Sequence, residues 1–250
     1  NDIKNDVDRV LDSFLYNNKL FISFESREKN KCKKFKIFVA ELDEKFMSFD
    51  TFFVDDSCKS ILNSGRMLNF KFDKEQGLLF AVSAARYDFP TKEPQDESSN
   101  FGKILFKSFN TKKIKVFSKG HRLILGLCIE SKNGNILSTE NGPRGGDEIN
   151  KIVFNGNYGW PTASYGRRYD SKLKDDPVSY KNSHEDYNFE EPIFSFIPSI
   201  GISEVIEIPN NFTKNWIDNF LIASLNKRSL FRVKFDSRFD RLLFYEEIYI

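Results

Sequence analysis

The chain has 250 residues, in which 38 Lys and Arg nearly cancel 36 Asp and Glu. The two signs are interspersed, which argues against a nucleic-acid footprint or an anchor for an anionic membrane. The longest apolar stretches, such as 193–197 and 221–223, are far too short to cross a bilayer, so a soluble protein without a membrane span is expected.

Residues 5–14, with their early acidic side chains, read as a short helix. Runs rich in β-formers then recur at 19–24, 35–39, 77–82, 103–106, 114–117 and 135–138. A second short helix is expected at 211–219, followed by strands at 220–223, 230–235 and 242–245. Phe supplies much of this apolar content, with 27 copies against 2 Met and 2 Trp. Strands at this spacing, without long helical crossovers, restrict a nearly all-β chain to a sandwich, a barrel or a propeller. No linker or charge block divides it, so residues 1–250 are expected to form one domain. Segments 70–80, 127–137 and 231–243 share the form strand, polar turn, strand, as the inner hairpin of each propeller blade would.

Residues 140–165, ENGPRGGDEINKIVFNGNYGWPTASY, carry the most functional information. The concentration of Gly and Pro shapes a backbone that brings carbonyls and amides close to something, as a site loop does. Within it Asp147 and Glu148 are expected to tie the glycine-rich turn through backbone amides, and 157–160 to form the turn and packing core of its blade.

This segment resembles the signature of the glucose/sorbosone dehydrogenase family, soluble six-bladed β-propellers that oxidise aldose sugars at the anomeric carbon with pyrroloquinoline quinone (PQQ) and calcium. The resemblance extends to FGKIL at 101–105, GHRLILGL at 120–127, residues 192–202 and 216–233, and, near the start, 20–24 and Ser64-Gly65-Arg66. It implies that Gly142 and Pro143 offer backbone carbonyls to a calcium that also holds the quinone. It places Arg122, Asn141, Asn226 and Lys227 at the cofactor, with Arg122 equally readable as a plain salt-bridge partner. It also implies a sugar substrate or ligand, an electron acceptor of unknown kind, and a periplasmic or secreted location, any leader being expected outside this chain. Cys32 and Cys58 flank one stretch, and a disulfide between them would agree with that location. Cys128 reads as a small hydrophobe in an apolar strand.

Several family positions differ. The family takes the hydroxyl proton with a His just ahead of a GGR-like turn, whereas residues 59–64 read KSILNS, so that position falls at Ile61 or Leu62. His121, in the GHR segment, is a weak substitute, and His184 reads as a solvated residue of a polar loop. Leu123 stands for the family's Asn, Asn226 for its Lys with Lys227 adjacent, and Ala84-Ala85 for its Gly-Asp. The last blade and part of the first are expected to lie outside the chain. The candidate functions are therefore a PQQ- and calcium-dependent aldose dehydrogenase with a degenerate site, or a non-catalytic propeller that binds a carbohydrate or a protein. A hydrolase would need a carboxylate cluster, and Asp55, Asp56, Asp147 and Glu191 are scattered in sequence.

Overall fold

The apolar runs become strands that pair with their sequence neighbours, because two-residue turns return the chain at once. Asn17 and Asn18 adopt φ of 46° and 58°, and Asp73 and Lys74 adopt 50° and 67°. This is the left-handed pair that suits a tight hairpin to the twist of its strands. A computed structural model describes residues 6–28, 32–42, 45, 47–59, 64–82, 92–111, 113–167 and 180–250.

Among the described residues, sixteen strands form four antiparallel sheets of four. Blade 1 holds β1 (Val7–Tyr16), β2 (Lys19–Arg27), β3 (Lys33–Glu41) and β4 (Asp50–Val54), in that order. Blade 2 holds β5 (Met67–Phe72), β6 (Glu75–Val82), β7 (Lys103–Ser108) and β8 (Ile114–Lys119). Blade 3 holds β9 (Ile124–Ile129), β10 (Ile136–Glu140), β11 (Asp147–Ile152) and β12 (Phe194–Phe196). Blade 4 holds β13 (Ile202–Glu207), β14 (Asn219–Ser224), β15 (Ser229–Phe235) and β16 (Leu242–Tyr249). The first strands of successive blades touch, β1 with β5, β5 with β9 and β9 with β13, so they line the axis of a β-propeller.

Apolar residues fill the seams between blades. Phe35, Ile37, Phe80 and Leu105 lie between blades 1 and 2, Leu79, Ile104, Phe117 and Ile136 between 2 and 3, and Leu137, Ile149, Val205 and Phe231 between 3 and 4. Interior strands of blade 2 are covered on both faces, which is why 77–82 reads as an unbroken apolar run instead of an alternating one.

Two expected helices are absent. Of the expected helix at 5–14, residues 7–14 belong to β1, whose pairing to β2 carries register shifts between Val7 and Arg9 and between Val10 and Asp12. Those bulges disturb the two-residue alternation, so the acidic positions imitate a helix start. In 211–219 only Lys214–Trp216 forms a single 3-10 turn. The hairpins at 70–80 and 127–137 are inner pairs as expected, but 231–243 spans β15 and β16, the outer pair of blade 4. Among the described residues no helix is long and apolar enough to cross a membrane.

Because every blade runs up and down, the connections β2–β3, β6–β7, β10–β11 and β14–β15 gather at one end of the sheets. The links from one blade to the next share that end. The signature loop therefore stands beside the 120–123 link and near the β14–β15 turn.

Candidate functional site

The β10–β11 connection, residues 141–146, is shaped by backbone meeting backbone. A Cβ on Gly142 would lie 2.0 Å from the Gly146 carbonyl oxygen, and one on Gly166 would lie 2.2 Å from the Gly145 carbonyl oxygen, so neither position accepts a side chain. Asp147, fully buried at the start of β11, accepts the Gly142 N–H at 3.0 Å on one oxygen and the Ile202 N–H at 2.9 Å on the other. The carboxylate thus ties the loop to the innermost strand of blade 4. The Gly146 N–H donates to the Phe196 carbonyl, and Arg144 and Arg167 exchange two backbone bonds. Among the described residues no donor is directed at the carbonyls of Gly142 or Pro143.

Arg122 braces this loop. Its Nη1 donates to the Asn141 carbonyl at 2.6 Å, its backbone N–H donates to Glu140 at 3.1 Å, and its guanidinium lies 5.3 Å from the centre of the Trp160 ring. Arg122, Asn141, Gly142 and Pro143, with Glu148 and Trp160, line a cavity of about 10 Å³, room for about one water. Four of the predicted positions are thus brought together. Asn226 and Lys227 sit exposed in the β14–β15 turn at the same end of the sheets, but they do not line this cavity. Ile61, Leu62, Ala84 and Ala85 lie outside the described residues.

The Glucose / Sorbosone dehydrogenase family model matches residues 6–248. The chain belongs to the glucose/sorbosone dehydrogenase family. It is 26% identical to quinoprotein glucose dehydrogenase B of Acinetobacter calcoaceticus over 179 residues, which cover 53% of this chain and 37% of that protein. A crystal structure of glucose dehydrogenase superposes with a TM-score of 0.81 at 21% identity, covering 96% of this chain and 72% of that one. The PQQ-bound aldose sugar dehydrogenase of Streptomyces coelicolor superposes at 0.67 and 21% identity, covering 93% and 63%. The chain spans only 30–38% of the length of the curated relatives it matches.

Both histidines of this chain are buried. His121 Nδ1 bonds Glu140 at 2.7 Å, its Nε2 bonds the Ser118 hydroxyl at 2.8 Å, and its ring stacks on Tyr158. Only 1% of its surface is exposed, and both ring nitrogens are engaged by Glu140 and Ser118. Burial raises Glu140, but His121 and the surrounding donors outweigh it and hold the carboxyl below its ordinary range. Asn150 donates to the same carboxylate at 3.0 Å.

His184 corrects a sequence expectation as well. It is buried instead of solvated, with Nε2 3.9 Å from Glu148 and Nδ1 3.8 Å from Glu191. Glu148 differs from Asp147 too. Burial, reinforced by the charge of Glu140, pushes its carboxyl up to about 8, and its closest polar partner is Asn150 at 3.4 Å. A signal for this buried polar row exists in the sequence. Ser138 and Glu140 alternate on β10 and pair in register with Asn150 and Glu148 on β11, polar residues at two-residue spacing inside otherwise apolar strands.

Sequence reasoning also passed over Lys103, the Lys of FGKIL. It is fully buried and donates to the carbonyls of Glu93 at 3.0 Å and Asp96 at 2.8 Å, while burial lowers its ammonium to about 8. The turn it anchors presents Gln95 to Asn157 and to the Trp160 carbonyl at 2.8 Å. Residues 157–160 therefore pack as expected, with Tyr158 and Trp160 buried. Cys32 and Cys58 are joined by a disulfide across 5.2 Å between their Cα atoms.

Proposed function

We propose that this chain belongs to a PQQ- and calcium-dependent aldose dehydrogenase of altered site, able to hold the metal and quinone but poor in sugar oxidation at the anomeric carbon. The observation that carries this reading is the pair of carbonyls at Gly142 and Pro143, unclaimed by any described donor, in a loop that Asp147 ties through the Gly142 N–H. Calcium takes six to eight oxygens, and among the described residues no group of three His, Cys, Asp or Glu could hold a metal. The quinone, when bound, supplies the hydride acceptor. The 10 Å³ cavity cannot take it, so the exposed turn with Asn226 and Lys227 is where the chain would meet it, while Arg122 keeps Asn141 in place.

The Acinetobacter and Streptomyces relatives, a quinoprotein and a PQQ-bound dehydrogenase, support the cofactor class. The disulfide supports a periplasmic or secreted location. A specific observation favours the non-catalytic alternative, a propeller that binds a carbohydrate or a protein: the chain has two histidines and both are buried with 1% exposure.

Calorimetry with calcium, with and without PQQ, tests binding, and dye-linked aldose oxidation tests chemistry. Binding is expected, with turnover below that of a family enzyme by the roughly 10²–10⁴-fold that a positioned base contributes. Absence of heat at millimolar calcium with PQQ present would defeat the reading. Rapid oxidation by the unmodified chain would defeat the loss of the base. Restoring His at Ile61 or Leu62 together with Asn226→Lys should raise turnover.

A further inference from the structure

A second cavity, of about 430 Å³, opens between blades 1 and 2. Its walls come from the β1–β2 turn and the chain just past β7, so it lies at the end of the sheets opposite the signature loop. Its volume falls in the range of small-molecule sites, about 300–1,000 Å³. Tyr16 stacks on Phe109 with ring centres 5.4 Å apart and planes within 19°, and Phe21 meets Phe52 edge-on at 5.3 Å. The stacked Tyr16–Phe109 pair makes an apolar floor, and Phe21 and Phe52 stand at right angles to each other beside it.

The rim is polar without being charged. The side-chain amides of Asn17 and Asn110 make no hydrogen bond with the described residues, and Gln76 uses its NH₂ on Asn69 while its carbonyl oxygen stays open. Lys19, the charged side chain of the lining, is compensated by Glu41 at 2.8 Å. A charged ligand would find no unpaired counter-charge in this lining, and a purely apolar one would make no use of the Asn17 and Asn110 amides or the Gln76 carbonyl oxygen. A ligand with one apolar face and a ring of hydroxyls satisfies both constraints.

We propose that this cavity is a saccharide-binding site, in which a neutral pyranose ring lies against the Tyr16–Phe109 floor and its hydroxyls bond Asn17, Gln76 and Asn110. The site is separate from the signature loop and needs neither metal nor quinone, so it stands whatever the outcome for oxidation.

The test uses the chain without PQQ or calcium, titrated with D-glucose and with maltose by calorimetry and saturation-transfer NMR. Saturable binding with Kd on the order of 1–10 mM is expected. Tyr16→Ala and Asn110→Ala should each weaken it about 3- to 10-fold, whereas Tyr249→Ala, on an exposed tyrosine of blade 4, should not. Asn110 is exposed on a turn, so its variant keeps the test valid if loss of Tyr16 disturbs folding, which circular dichroism would report. Preference for maltose over glucose would place two rings in the cavity and support the proposal. It is overturned if neither sugar saturates by about 100 mM, if both variants bind like the parent, or if phenol binds where sugars do not.

Discussion

Arg66 and Glu204 form an ion pair at 2.9 Å across the axis of the propeller. Arg66 stands just before β5 and Glu204 lies on β13, so the pair spans blades 2 and 4. The same guanidinium donates through Nε to the Leu125 carbonyl of β9 at 2.6 Å and lies 3.4 Å from Asp12 of β1. One side chain therefore meets the innermost strands of three other blades.

Replacing Arg66 by Met should cost about 1–3 kcal/mol at pH 7, since it removes a charge-assisted bond and leaves two partly buried carboxylates facing each other. Burial raises both Asp12 and Glu204, and Arg66 opposes that rise. Without Arg66 both carboxyls rise further, so protonation relieves the repulsion and the deficit should shrink as pH falls from 7 toward about 4. Thermal melts of both proteins at the two pH values check this. A deficit that does not depend on pH would contradict it.

His121→Ala should destabilise by about 3–5 kcal/mol, because it leaves the buried Glu140 carboxylate without its main partner. In the folded protein neither histidine should react with diethyl pyrocarbonate, and both should react in urea. Ready modification of the native chain would show that one of them is accessible.

Glu148 sets a pH dependence whose sign follows from its raised value. A carboxyl at about 8 in the folded state and near 4.5 when unfolded binds more protons folded than unfolded between those limits. Stability from this group is full below about pH 4.5 and is lost as pH rises toward 8. Glu148→Gln should abolish that slope and leave the variant roughly 2–4 kcal/mol more stable than the parent above pH 8. Denaturant titrations at pH 5 and pH 8.5 would show the crossover, and parallel curves for the two proteins would refute it.

Gly142→Ala places a methyl 2.0 Å from a backbone oxygen, a contact that side-chain rotation cannot relieve. The loop must shift, so any calcium response should disappear even if the blades remain folded. Asp147→Asn keeps the shape but leaves one acceptor oxygen for two N–H donors, so one bond is lost to an NH₂ that faces an N–H, and the change should cost about 1.5–3 kcal/mol in urea unfolding. A Gly142→Ala protein with unchanged calcium binding would show that the loop is not the metal's seat.

The sequence by itself determined many of the strand runs, the polar turn within 70–80, the family, and which loop is built of backbone. These are local properties: β-propensity, polar turn residues, and glycines where a Cβ has no room. It misread β1, because bulges within a pairing leave no mark on the alternation that a single strand displays. Burial of His184, the row Ser138, Glu140, Glu148 and Asn150, and the anchoring of Lys103 were decided only by tertiary structure. Glu140 is tolerated inside the protein because partners arrive from β11 and the 120–123 link, and Lys103 because the turn before its strand folds its carbonyls onto the ammonium. Arg66 shows the same division: its place beside a glycine turn is legible in the chain, but its contacts to Asp12, Leu125 and Glu204 exist only once four blades bring their inner strands around one axis.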